Sequence, residues 1–349
     1  MRHHLLLLAL LLNATPGMLC GQTLAVVPAA ADATLYEDPS GSLANGSGPG
    51  FFVGVNGRGE RRRSMLWFDL TGIPPNAQVV DVELRLFVSR SNWAPALPIA
   101  LHRALASWGE GPSVSGGGGG AGGSAHIGDA TWRYRFWPST PWQNLGGDMA
   151  VQASAVAATP QLGTAVWNGS PALLTDLQTW LDQPTTNHGW LLRSAELGPG
   201  QVRRFDSREE VASPQPPELR IHYILPGQSA AIGTACGAPA LTFQLSGQPL
   251  RGNSVVFAVG QGTPGALAAC FFGFGMQPTS AVLPGCTLWP AQPFTPGLHI
   301  VDNSGAFQES VQLPLDPSFS GLPLAAQALT LNPTTAALHS TGALLAVIL

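Results

Sequence analysis

The stretch Val79-Val80-Asp81-Val82-Glu83-Leu84-Arg85-Leu86-Phe87-Val88 decides the fold class. Val80, Val82, Leu84, Leu86 and Val88 alternate with Asp81, Glu83 and Arg85, the period-two pattern of a strand with one buried and one wet face. Outward from it, short β-rich runs recur between turn residues: Phe51 to Val55, Ser64 to Leu70, Ile99 to Ala104, Gly163 to Trp167, Gly189 to Arg193 and Glu218 to Leu225. That spacing predicts an all-β sandwich. One segment breaks the pattern, with Pro171 at a helix start, then Leu173, Leu174, Leu177, Trp180 and Leu181 at three- and four-residue spacing, closed by Pro184. It predicts one short helix. Gly116 to Gly123 is nearly all glycine and reads as a flexible surface loop insertion, outside any packed element.

A second set of strand-like runs follows Pro226-Gly227-Gln228-Ser229: Leu241 to Leu245, Ser254 to Val259, Cys270 to Phe274, Leu298 to Val301, Glu309 to Leu313, Ala328 to Leu331 and Ala343 to Leu349. They predict a smaller β-sandwich over 232–349, with residues 225–231 as linker. Composition changes at that point, since of ten Trp only Trp289 lies beyond it, and past Ala231 the charged residues are Arg251, Asp302, Glu309 and Asp316. A module so poor in charge suits extracellular contact better than acid-base chemistry.

At the other end, Arg2 precedes an apolar run from Leu5 to Leu12 and then Pro16-Gly17, which reads as a secretory signal peptide over residues 1–21. No run is long enough to predict a membrane span. All sixteen basic residues are Arg, which excludes Schiff-base lysines, pyridoxal phosphate chemistry and phosphate loops. Acids outnumber arginines, so nucleic acid is not an expected partner. Cys236, Cys270 and Cys286 permit one disulfide in an oxidising compartment, in any of three pairings, and their spacing fits no metal site.

Four stretches carry a resemblance. They are Ala33 to Asp38 with Asn45-Gly46-Ser47 and Phe52-Val53-Gly54; Arg63 to Leu70 with Ile73 to Ala77 and Leu84 to Val88; Thr179-Trp180 with Asn187 to Leu192; and Phe205 to Glu209 with Pro217 to Tyr223. Together, over residues 32–224, they resemble the DNRLRE domain family, which overlaps carbohydrate-binding module family 96. The resemblance implies a jelly-roll-like β-sandwich and a polysaccharide ligand of the acidic, uronate-containing class, such as alginate. The second domain resembles short C-terminal β-domains of secreted planctomycete proteins, through Gly233 to Gly237, Gly285-Cys286 and Leu313 to Gln327. The two Gly-Cys turns of that resemblance favour a Cys236–Cys286 disulfide, leaving Cys270 as a buried thiol.

Sugar binding by such a fold requires flat rings and forked donors. Trp93, Trp137 and Trp142 stand in Pro- and Asn-rich stretches and are candidate stacking residues, whereas Trp67, Trp108, Trp180 and Trp190 sit in strand or helix patterns and read as core. Arg58, Arg61, Arg62 and Arg63 form one basic cluster, and Arg203 with Arg204 a second, either for ligand carboxylates or for local ion pairs to Glu60 and Asp206. Arg208 and Glu209 read as a structural ion pair. Glu37, Asp38 and Asp206 are candidate ligands for a structural calcium, the one cofactor considered. No GxSxG, HExxH or Cys-His arrangement supports an enzyme, and a glycosidase or lyase would draw on Glu110, Asp129, Asp148, Glu209 and Glu210. The expectation is a secreted, monomeric, non-catalytic carbohydrate-binding protein. The alternative is a structural or adhesive extracellular β-sandwich that binds no glycan.

Overall fold

The structure is a computed structural model that describes residues 22–349 apart from 213–214, 284–285 and 333; the leader expected over 1–21 lies outside the described residues. The chain is all-β and sandwich-like, with α1 (Pro171–Asp182) the single α-helix among the described residues.

The first unit contains β1 (Thr23–Tyr36), β2 (Gly50–Val55), β3 (Arg61–Phe68), β4 (Gln78–Arg90), β5 (Leu97–Arg103), β6 (Ala155–Thr159), β7 (Gly163–Asn168), β8 (Trp190–Ser194), β9 (Val202–Asp206) and β10 (Glu218–Ile224). Their antiparallel pairings form a closed circuit, β1–β10–β4–β9–β2–β3 and back to β1, with β8, β5 and β6 extending from β3 and β7 lying along β4. β1 closes the circuit because it changes partner: Thr23 to Pro28 pair with β10, a bulge follows at Ala29–Ala31, and Asp32 to Tyr36 pair with β3. Such bulges turn a strand from one sheet to the next. The unit therefore starts at residue 23, not 32. Pro28 and the alanines around it weaken the strand signal there, and Pro28 is tolerated because this half of β1 is an edge.

β4 keeps its alternation, with Val80, Val82, Leu84, Leu86 and Val88 all buried in the main core. α1 starts at Pro171 and buries Leu173, Leu174, Leu177, Trp180 and Leu181, its Trp180 ring 4.6 Å from that of Trp190. Between β5 and β6 the chain makes a long excursion whose Ala130, Trp132 and Trp142 build a small second core with Leu35, Met65 and Leu191. The glycine-rich segment belongs to this excursion and is seated on the sheet, contrary to the expectation of a free loop. Tyr36 Oη donates to the Gly119 carbonyl at 2.7 Å, and a Cβ on Gly119, at φ 84°, would stand 2.9 Å from the Phe52 ring. The glycines permit close approach where flexibility was expected.

The second unit pairs β11 (Ser229–Ile232), β14 (Leu267–Phe274), β17 (His299–Ile300), β19 (Pro323–Leu331), β20 (Leu338–Ser340) and β21 (Ala343–Val347) in one sheet. β12 (Thr242–Ser246), β13 (Ser254–Gly260) and β18 (Phe307–Gln312) form a second, and β15 (Met276–Leu283) with β16 (Cys286–Pro290) a hairpin. The uninterrupted apolar run of β21 has a physical cause. Leu345 and Val347 join the core of the first unit while Leu344 and Ala346 join that of the second, so both faces of the strand are covered. The segment expected as a linker is a turn at Leu225–Gln228 that leads straight into β11, whose Ala230 and Ile232 pack into the core shared with Val79, Val80 and Ile224. Cys236 and Cys286 form the disulfide, and Cys270 is a buried free thiol.

Candidate functional site

Most of the candidate ligand residues point inward. Arg58 stands exposed in the turn between β2 and β3, where Asn56 Oδ1 accepts the amides of Arg58 and Glu60 at 2.9 and 3.0 Å. Arg61 and Arg63 share one face of β3 and hold the buried Trp132 ring between them, guanidinium carbons 5.0 and 4.9 Å from its centre. Arg61 pairs with Glu37 through both oxygens, at 3.0 and 2.5 Å, and the buried Arg63 pairs with Glu196 at 2.7 and 3.0 Å. Arg62, also buried, faces the other way, onto Glu60 at 2.9 Å and the Tyr36 ring at 4.8 Å. This cluster is an internal brace rather than a ligand patch, with Arg58 and half of Arg61 left in solvent. Alternation along the strand sets that division, and the excursion supplies the rings and acids that cover it.

The second basic pair is corrected in the same sense. Arg203 is fully buried and donates to Ser91 Oγ at 2.5 Å and to the carbonyls of Trp93, Pro95 and Thr159 at 2.8, 2.5 and 3.3 Å, with no carboxylate among its partners. Burial without a counter-charge lowers its pKa. Arg204 pairs with Asp206 and Glu210, each at 3.0 Å. Trp142 is also core: it is 5% exposed, and its Nε1 donates to the Thr131 carbonyl at 2.9 Å. Trp93 and Trp137 are half-buried and keep part of their rings at the surface.

The acids named for calcium do not converge. Glu37 is held by Arg61, Asp38 accepts the Ser42 amide at 3.1 Å within its own turn, and Asp206 is held by Arg204. The three acids that do meet are Asp32, Glu110 and Glu209, with carboxylate oxygens within 4.8 Å of one another. The Arg208 guanidinium already occupies their midst, bonded to both oxygens of Glu110 at 2.9 and 2.7 Å and ion-paired with Glu209 at 2.8 Å, while its amide donates to Asp32 at 3.0 Å. A calcium ion takes six to eight oxygens. A cluster whose Glu110 is spent on a guanidinium does not fit one. Desolvation raises the pKa of Asp32 well above the ordinary carboxylate value and raises that of Glu209 too. The remaining carboxylates weighed for catalysis also serve structure: Asp129 accepts the amides of Ser113 and His126 at 3.3 and 2.5 Å, and Asp148 those of Gln143 and Asn144 at 3.0 and 2.8 Å.

On the outer face of β7, β4, β10 and β1, Glu83, Arg85, Phe87, Arg220 and Val26 are partly or fully exposed. The register sets Val166 beside Arg85 and Arg85 beside Glu218 in one row, then Asn168, Glu83, Arg220 and Val26 in the next. A groove of about 360 Å3 crosses it, lined by Arg85, Phe87, Thr164, Gln215, Glu218 and Arg220. Arg85 pairs with Glu83 at 3.0 Å and Arg220 with Glu218 at 2.5 Å, all four side chains being between a quarter and two-fifths exposed. The alternation in β4 marked Arg85 as outward-facing, but the partners from β7 and β10 come from register, which local sequence does not carry. No family model matches this chain, and no curated protein matches it.

Proposed function

We propose that the protein is a secreted, non-catalytic glycan-binding protein that takes an acidic polysaccharide along the groove of β4, β7 and β10. The observation that carries the reading is the groove itself: an open trough with two guanidinium groups, a half-exposed Phe87 ring and hydroxyl and amide side chains along its walls. Arg85 and Arg220 are available to a ligand because their ion pairs are solvent-exposed, and exposed pairs contribute only about 0–1 kcal/mol. Incoming carboxylates exchange for Glu83 and Glu218 at small cost. The carboxylates that could support hydrolysis are engaged in the structural bonds described above, which supports binding over cleavage. The Cys236–Cys286 disulfide supports an oxidising, extracellular setting, and no helix among the described residues is long and apolar enough to cross a membrane.

Affinity electrophoresis of the whole chain on alginate, pectate and neutral β-glucan gels tests this, with product analysis on the same samples. The expected result is retardation on the acidic gels, weakened by salt and by an Arg85→Ala/Arg220→Ala double substitution, without new reducing or unsaturated ends. No retardation on any gel removes the reading. The second reading, a structural or adhesive protein, rests on one row of the second unit: Ile300, Leu267, Leu331 and Leu338 stand side by side on adjacent strands and are 70, 42, 39 and 37% exposed. Apolar surface of that kind favours protein contact.

A further inference from the structure

A small cavity of about 80 Å3 lies where the glycine-rich segment passes the start of β2, the end of β4 and the middle of β9, lined by Pro49, Gly50, Arg90, Ser115, Gly117 to Gly119 and Arg204. We infer that this cavity is a binding site for one oxyanion group, a carboxylate, sulfate or phosphate, distinct from the groove and independent of the glycan reading.

Three observations converge on it. Arg90 and Arg204 are direct cross-strand partners, so two guanidinium groups meet at the cavity, that of Arg90 exposed. Arg204 has Asp206 and Glu210, and donates to the Pro49 carbonyl at 2.6 Å and to Ser89 Oγ; Arg90 has no ion pair or hydrogen bond to any described residue. Ser115 is 6% exposed, and its hydroxyl oxygen is buried with no hydrogen-bond partner. Orphaned buried hydroxyls are rare in folded proteins. The amides of Gly117 and Gly118 also donate to no described backbone carbonyl. Cation, hydroxyl and backbone amides are the donor set that holds an oxyanion.

The walls are built rather than incidental. The buried Asn45 side chain accepts the Ser115 amide at 2.8 Å and donates to the Gly50 carbonyl at 2.8 Å, tying the segment to the start of β2. A Cβ on Gly118 would stand 2.4 Å from Arg90 Nη1, so the segment lies directly against this guanidinium.

Isothermal titration of the full chain with sodium D-glucuronate, sulfate and phosphate at fixed ionic strength, with glucose as the neutral probe, tests the site. One saturable site for at least one anion and none for glucose is expected. Glucuronate without the inorganic anions identifies a carboxylate pocket, and the inorganic anions without glucuronate identify a free-anion pocket. Arg90→Gln is expected to weaken the binding at least about tenfold, Ser115→Ala to weaken it less, and Arg85→Ala, in the groove, to leave it unchanged. Arg90 braces nothing described, so Arg90→Gln is expected to unfold at the wild-type temperature or above, which separates lost binding from lost fold. Equal binding by wild type and Arg90→Gln, or no binding of any anion, overturns the inference. Either result leaves the gel retardation of the groove to be judged on its own.

Discussion

Replacing Arg208 by Gln removes the one cation among three carboxylates, and the size of the effect follows from their spacing. Oxygens of Asp32, Glu110 and Glu209 lie within 4.8 Å of one another. Two ionised carboxylates at that distance repel by about 3.5 kcal/mol at an effective dielectric constant of 20, so the variant takes up protons rather than bear the full repulsion. The variant also loses two charge-assisted bonds to Glu110, at 2.7 and 2.9 Å, and an ion pair to Glu209 at 2.8 Å, from a guanidinium 40% exposed. Discounted for that exposure, the loss is about 3 kcal/mol at pH 7. Its pH dependence is the sharper test. Asp32 and Glu209 already have raised folded-state pKa values, so the folded protein binds more protons than the unfolded chain above their ordinary values of 3.8 and 4.5. Their contribution favours the fold below those values and is lost as pH rises through the raised ones. Without Arg208 the values rise further, so the penalty should shrink on going from pH 7 to pH 4.5. Urea unfolding of both proteins at the two pH values measures it. A cost under about 0.5 kcal/mol, or one that does not change with pH, would refute the assignment of Arg208 as the counter-ion of this cluster.

The same urea assay reads three further substitutions. Arg203→Met leaves the Pro95 carbonyl without its donor and the Trp93 carbonyl with only the Ser91 hydroxyl, and should cost about 3 kcal/mol while gel retardation persists; loss of retardation in a folded variant would return Arg203 to the ligand site. Trp142→Ala should cost about 3–5 kcal/mol, as for a large aromatic removed from a core, and a cost near zero would contradict its burial. Cys236→Ala/Cys286→Ala opens a loop of sequence separation 50 and should cost about 4 kcal/mol by chain entropy. Burial pushes the Cys270 thiol up to about 12, so iodoacetamide at pH 8 should leave the native protein unlabelled and modify it in guanidinium; rapid native labelling would contradict that burial.

Sequence period was a reliable guide wherever the structure is made by local pattern. β4 and α1 are such cases, because the residues that bury one face are spaced by the element itself. The pairing of Arg208 with its neighbour Glu209 is legible for the same reason. β1 is less legible, since its alanines gain their burial from β10 and β3, elements far along the chain. The arginine clusters show the limit most clearly. Their composition is visible in sequence, yet Arg63 finds Glu196 and Trp132, and Arg203 finds Trp93 and Pro95, through the circuit of strands. A guanidinium can be satisfied by carbonyls and rings as well as by acids, so an arginine far from any acid in sequence is not thereby free. What distinguishes Arg90 is its register. β9 sets another arginine opposite it, and the acids there, Asp206 and Glu210, pair with that second arginine. In a chain whose cations are all forked and mostly braced, unpaired charge is located by strand register rather than by counting, and Arg90 is the place where that argument can fail by experiment.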